Sequence, residues 1–291
     1  MSDFLDDFLR NWVEDSTVSQ GLYELSRGRQ LNPDTARDVV NRLHQDEGPR
    51  LIRKYIGDDN YNRYYPTNRK GPAWHEHQPT GVVDHYTAGV SVRGPLLWFS
   101  SRPRAGGIGN SSAHVVVTPE GETIFIINPL ESVAWHARGA NYLSIGIEHV
   151  NAGLLRENDN GELFYQVNRP YVVREAQAPI VMFGDPWEPY MRAQVLSNIL
   201  LKRLFLCAIP TLLPERFVDH QMVEPDRKHD CGPLWPLPTL NEISYRWWDL
   251  RNFDALLPES GVLDVAGLYA LSSKSTDLRC HELVSTPLLK S

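Results

Sequence analysis

Between His220 and Pro233 the chain carries His220, Lys228, Asp230 and Cys231 in one short, turn-rich run. An imidazole, an ammonium, a carboxylate and a thiol so close together do nothing for a helix or a strand. They suit a metal site with a fixed positive charge beside it. A catalytic zinc takes three protein ligands and leaves a fourth position for water. His220 and Asp230 can supply two of the three. His85 is the candidate for the third: it ends the β-branched run that starts at Gly81, just before a turn containing Gly89. A ligand at the end of a buried strand is held rigidly, as a catalytic metal requires. A further polar signal lies between them. Residues 141–150 alternate as a strand, and Glu148, two beyond Gly146, faces the same side as that glycine. A carboxylate on the inner side of a core strand is costly unless it is paired or used, so Glu148 is the candidate general base.

Taken in order, His85, Glu148, His220, Lys228 and Asp230 resemble the zinc-dependent N-acetylmuramoyl-L-alanine amidases, the type 2 amidase family that includes peptidoglycan-recognition proteins. Ser112-Ala113-His114 followed by three valines and Pro119-Glu120-Gly121, then Ala134-Trp135-His136-Ala137, then Ser144 to Glu148, are similar to further signatures of that family. The resemblance spans Gly81 to Pro233. It implies an α/β fold with a central mixed sheet flanked by helices. It implies Zn2+ bound by His85, His220 and Asp230, with Glu148 activating water and Lys228 stabilising the oxyanion. The implied substrate is peptidoglycan or a muropeptide, cut between the lactyl group of N-acetylmuramic acid and L-alanine. In general such a base contributes about 10²- to 10⁴-fold, and loss of one oxyanion donor costs about 10²- to 10³-fold. The chain departs from the family at two places. Ala113 stands where some relatives carry a tyrosine, and Cys231 where relatives with an aspartate ligand often carry proline. Other branches use cysteine as the last ligand, so Asp230 and Cys231 both stay open, with the Lys-x-ligand spacing favouring Asp230.

Around this set, Trp135 and His136 are candidates to line a sugar or peptide groove, and Arg138 to meet a stem-peptide carboxylate. His114, inside a strand, suits a supporting hydrogen bond better than ligation. His149 alternates away from Glu148, and His229 similarly from its neighbours. His75 and His77 flank Glu76 at a spacing able to bind metal, but no third partner is evident. The competing reading is a non-catalytic peptidoglycan-binding module; a zinc peptidase is a third.

The elements that must position these groups are legible from pattern. The 291 residues, 42% hydrophobic, are enough for one substantial core with extensions. Residues 1–68 read as a helical N-terminal extension, 69–255 as the catalytic domain with an insertion at 151–187, and 256–291 as a C-terminal extension. In the first region Phe4, Leu5, Phe8, Leu9 and Trp12 recur at helical spacing. Asn32-Pro33 starts another helix, and Gly48-Pro49 interrupts it. This region reads as a layer on the catalytic domain; the alternative is a docking module for a protein partner. Strands are expected over 81–85, 113–117, 123–127 and 145–150, a loop over 100–112 and a hairpin in the insertion. Helices are expected over 189–208, 240–253 and 262–271. The net charge of -7, without a basic stripe, argues against nucleic acid. Three scattered cysteines make no disulfide framework. No apolar run reaches the roughly 18 residues of a membrane span, and the start of the chain lacks a secretory signal. The expectation is a protein made in the cytoplasm, acting there or after export by a signal-independent route.

Overall fold

The computed structural model describes residues 3–65, 70–74, 78–100, 111–165, 169–172 and 178–251. Helices α1 (Asp3–Trp12), α2 (Ser16–Ser26) and α3 (Pro33–Arg42) come first, and the Asp15 and Asn32 side chains cap α2 and α3. The predicted break at Gly48-Pro49 takes the form of a wide π-helical turn, Leu43–Glu47, leading directly into α4 (Gly48–Ile56). Proline near a helix start lacks only an N–H that would be unpaired anyway. There follow α5 (Asp58–Tyr64), β1 (Lys70–Ala73), β2 (Gly81–Tyr86), α6 (Arg93–Ser100), β3 (Val115–Val117), β4 (Thr123–Phe125), β5 (Ser132–Ala134) and β6 (Ser144–His149). The insertion holds β7 (Leu155–Glu157), β8 (Leu163–Tyr165) and β9 (Arg169–Pro170) as one small antiparallel sheet. Beside it lies the hairpin of β10 (Ile180–Met182) and β11 (Asp185–Trp187). The chain continues through α7 (Arg192–Ala208), β12 (Phe217–Asp219), α8 (His220–Val223) and α9 (Leu237–Tyr245).

The central sheet has the order β12-β2-β6-β3-β4. The first four strands run parallel, and β4 is antiparallel to β3, so the sheet is mixed as expected. One face carries Val82, Ile145, Ile147, Val115 and Val117. It packs on α7 through Val195, Leu196, Ile199 and Leu200, and the same core continues into α1, α2 and α3. On the other face α4 and α6 bury Val116 and Ile124 toward the β4 edge, and Val83 and Val218 pack with Ala137 and Ala140 over β2 and β12. Between these two apolar clusters, the C-terminal ends of β2 and β6 present the polar side chains of His85 and Glu148. The last helix differs from the expected 240–253 span: it starts at Leu237 and stops by Tyr245. Trp247 takes a positive φ of 56°, a backbone conformation that a helix cannot contain. The expected helix at 262–271 and most of the expected 100–112 loop lie outside the described residues. No helix among the described residues is long and apolar enough to cross a membrane.

Beneath β2 lies a buried ionic anchor. Asp84 and Lys202 are both fully inaccessible, and Lys202 Nζ donates to Asp84 Oδ2 at 2.7 Å. Asn198 Nδ2 donates to Asp84 Oδ1 at 2.7 Å and Trp235 Nε1 to Oδ2 at 3.2 Å. Burial works against the Asp84 charge, but Lys202 and His149 hold its carboxyl below the ordinary carboxylate range. Lys202 also reaches Asn241 of α9, which binds the Phe217 carbonyl of β12. The pair therefore ties the sheet, α7 and α9 together. Breaking one side of a buried pair costs about 3–5 kcal/mol, whereas removing both charges costs much less. Lys202→Met should therefore lower the unfolding free energy by about 3–5 kcal/mol in urea titrations. Adding Asp84→Asn should recover part of that loss.

Candidate active site

Alternation along β2 sends Asp84 to the α7 side and His85 to the opposite face. In the adjacent parallel strand His85 pairs in register with Glu148, and Val83 with Gly146. Glu148 and Gly146 thus share the face of His85. The edge strand β12 lies parallel on the other side of β2 and delivers His220 at the start of α8, where Asp219 caps the helix through the Met222 N–H. The chain turns back after α8, and the Gln221 N–H donates to the Asp230 carbonyl at 2.8 Å, which holds the returning segment against the helix start.

Three ligand-type atoms converge here. His85 Nδ1 lies 2.9 Å from His220 Nδ1 and 3.1 Å from Asp230 Oδ2, and His220 Nδ1 lies 2.9 Å from the same oxygen. All three residues are buried. Ligands on a tetrahedral zinc with bonds of about 2.0–2.1 Å sit roughly 3.3 Å apart, so these spacings match one face of such a polyhedron with slight closure. Burial holds the His85 imidazole down to about 4 although Asp230 works the other way, so the ring is neutral and offers a bare nitrogen. Burial also opposes the Asp230 charge, but His220 and His85 keep its carboxyl below the usual range. Two imidazoles and one carboxylate are the donor set that suits zinc.

The remaining expected residues fall around this point. Glu148 is half-buried, and its Oε2 is a buried atom without a hydrogen-bond partner. Burial, with Asp230 adding and Lys228 opposing, pushes its carboxyl up to about 8. Lys228 is partly exposed, with Nζ 3.9 Å from Asp230 Oδ1. Cys231 packs in the main apolar core and is not part of the converging group. Trp135 is half-buried with its ring against Tyr142, centroids 5.7 Å apart at 81°, and Arg138 is exposed. His136 sits elsewhere than a groove wall. Its ring is turned inward, with Nδ1 3.0 Å from His85 Nε2 and Nε2 3.1 Å from the Ser144 carbonyl oxygen. Both nitrogens are taken, so neither remains for a solute. His114 accepts from the Gly146 N–H and bonds to the Ser132 carbonyl. His149 lies on the far face beside Asp84 and Asn198, and His229 is exposed. His75 and His77 lie outside the described residues.

One supporting residue escaped the sequence reading. Glu224 Oε2 lies 2.9 Å from His220 Nε2, and Arg227 pairs with the same carboxylate. The signal was present: Glu224 follows His220 by four, the spacing that puts two side chains on one helix face.

A sequence profile of the N-acetylmuramoyl-L-alanine amidase family matches residues 75–233, more than half of the chain. No curated protein matches it. Among solved structures, the chain is similar to the amidase AmiD from E. coli in complex with anhydro-N-acetylmuramic acid-L-Ala-D-gamma-Glu-L-Lys. The identity is 24%, covering 58% of this chain and 58% of that one, with a TM-score of 0.40. It is also similar to AmpDh3 from Pseudomonas aeruginosa in complex with anhydromuramic pentapeptide, at 22% identity over 69% of this chain and 94% of that one, TM-score 0.37. An AmpD derivative aligns at 18% identity over 57% of this chain and 85% of that one, TM-score 0.40.

The converging atoms make a direct expectation about metal uptake. The chelator-stripped chain should take up one equivalent of zinc by elemental analysis, and His85→Ala and His220→Ala should abolish it. Cys231→Ser should leave the stoichiometry unchanged; loss of zinc in that variant would transfer the third ligand from Asp230 to the thiol.

Proposed function

This chain belongs to the N-acetylmuramoyl-L-alanine amidase family, and on that footing we propose that it hydrolyses the amide between the lactyl group of N-acetylmuramic acid and L-alanine. The observation that carries the proposal is the meeting of His85 Nδ1, His220 Nδ1 and Asp230 Oδ2 within 3.1 Å of one another, on the same sheet face as Glu148. His85, His220 and Asp230 would hold zinc. When bound, zinc would supply Lewis acidity, making water acidic enough to attack near neutral pH and polarising a carbonyl.

The protein's own groups do the rest. Glu148 takes a proton from the attacking water at Oε2, the atom left without a partner. It acts from its ionised form, and the proton affinity that burial raises lets it hold the proton and then release it. The acceptor of the second transfer is the departing alanine nitrogen, which leaves as an amine. Lys228, an ammonium on a flexible stem, faces the carbonyl oxygen as it gains charge. Asp230 beside it keeps the ammonium near the ligand cluster. Trp135 and Tyr142 form an aromatic wall suited to a sugar ring or a peptide, and exposed Arg138 suits a stem-peptide carboxylate. Peptidoglycan and its soluble muropeptides both contain this amide.

The test is turnover of a muramoyl-peptide followed by mass analysis. The products should be a peptide with a free L-alanine amine and a sugar with a free lactyl acid. Glu148→Gln should keep its zinc and lose about 10²- to 10⁴-fold in kcat. Lys228→Met should lose about 10²- to 10³-fold. Stoichiometric zinc with no cleavage of either intact sacculi or muropeptides would instead make the chain a binding module.

A further inference from the structure

We propose that His136 is a positioning residue that decides which nitrogen of His85 faces the metal. The inference rests on His85, His220 and Asp230 being the ligands. It starts from an atom with no choice: the Ser144 carbonyl oxygen can only accept. His136 Nε2, 3.1 Å away, therefore carries the proton of that bond. With Nε2 committed as the donor to Ser144, Nδ1 is the atom left to accept, and among the described residues its hydrogen-bond partner is His85. A bare nitrogen accepts, so the proton on the 3.0 Å contact to His85 belongs to His85 Nε2. An uncharged His85 then has its lone pair on Nδ1, the atom that meets His220 and Asp230. A backbone carbonyl thus sets the tautomer of a metal ligand through an intervening imidazole.

The same logic operates on the second ligand with different chemistry. Glu224 Oε2 accepts from His220 Nε2 at 2.9 Å, which turns Nδ1 toward the ligand cluster. With both rings so oriented, their Nδ1 atoms and Asp230 Oδ2 face one point.

An independent observation supports a dedicated seat for His136. A Cβ placed on Gly146 would lie 2.4 Å from His136 Cγ and 2.7 Å from its Nδ1. The ring therefore occupies the space that any side chain at 146 would fill, two residues along β6 from the Glu148–His85 pair. His114 steadies this arrangement. It accepts from the Gly146 N–H at 3.0 Å and packs edge-on to His136, with centroids 5.8 Å apart. The missing side chain of Gly146 and the imidazole of His136 act as one device.

The experiment compares zinc affinity of the full chain by competition with a chromophoric chelator, with folding followed by circular dichroism. His136→Phe keeps the ring's bulk but offers His85 no acceptor, and should weaken zinc binding about 10- to 100-fold. Gly146→Ala, which displaces the ring, should weaken it similarly. His136→Gln retains one acceptor and one donor and should restore most of the affinity. Nitrogen-15 spectra of the zinc-loaded wild-type chain should show His85 protonated at Nε2, a measurement that needs no variant to fold. A folded His136→Phe chain with wild-type affinity, or a wild-type His85 protonated at Nδ1, would overturn the proposal while leaving the ligand assignment intact. A wild-type chain that takes up no zinc would overturn the ligand assignment, and this proposal with it.

Discussion

Two neighbouring residues on one strand set the plan of this molecule. Asp84 and His85 necessarily point to opposite faces of the sheet, and each is committed to a different task. Asp84 is locked by Lys202, Asn198 and Trp235 into the packed layer below. His85 is thereby held at the open layer above, where its Nδ1 meets the other ligand atoms. Fixing one side chain immobilises the backbone that carries the other. A charged pair with complete burial is a poor way to gain net stability, but it is a stiff way to hold a strand. The position of the converging atoms depends on that stiffness.

The asymmetric covering of the sheet follows from the same division. The lower face is sealed by α7 and, beyond it, by α1 to α3, which continue one apolar core. The upper face is sealed by α4 and α6 where they meet β3 and β4, and by Ala137 and Ala140 over Val83 and Val218. Between these, toward the C-terminal ends of β2 and β6, polar groups hold one another in place of apolar packing. His114, His136 and His85 pack as a run of imidazoles whose nitrogens are taken up by backbone groups and by each other. Burial keeps His114 near 4 and His136 well below its ordinary value, so this run carries no charge toward the ligand cluster. Among the described residues, Asp230 itself, Lys228 and the Glu224–Arg227 pair bring charge to the cluster.

How much of this could be read from the residues depended on whether a pattern was local. The parallel strands carrying His85 and Glu148 were legible because β-branched runs and alternation are local signals, and the order of the polar residues carried the family. The tilt of His136 toward His85 was not legible, because the two are 51 positions apart and nothing in the sequence around Trp135 and His136 says which of them turns inward. The helical pattern over 189–208 does not single out Lys202. Its burial arises only when α9 and Trp235 close over it, a tertiary event without a local signature. The last helix was drawn too long because Ile243, Trp247 and Leu250 keep helical spacing, while Trp247 in fact sits at a positive φ where the chain turns.

The site also has a place in the order of assembly. His85 lies in a central strand, whereas His220 and Asp230 arrive 135 and 145 positions later. Strand β12, which delivers them, is the outermost member of its sheet. Contacts of such long sequence separation form late. A partly synthesised or partly unfolded chain therefore presents Glu148 without the converging His220 and Asp230. On the proposed function, hydrolysis would be a property of the finished fold, withheld until the edge strand has docked.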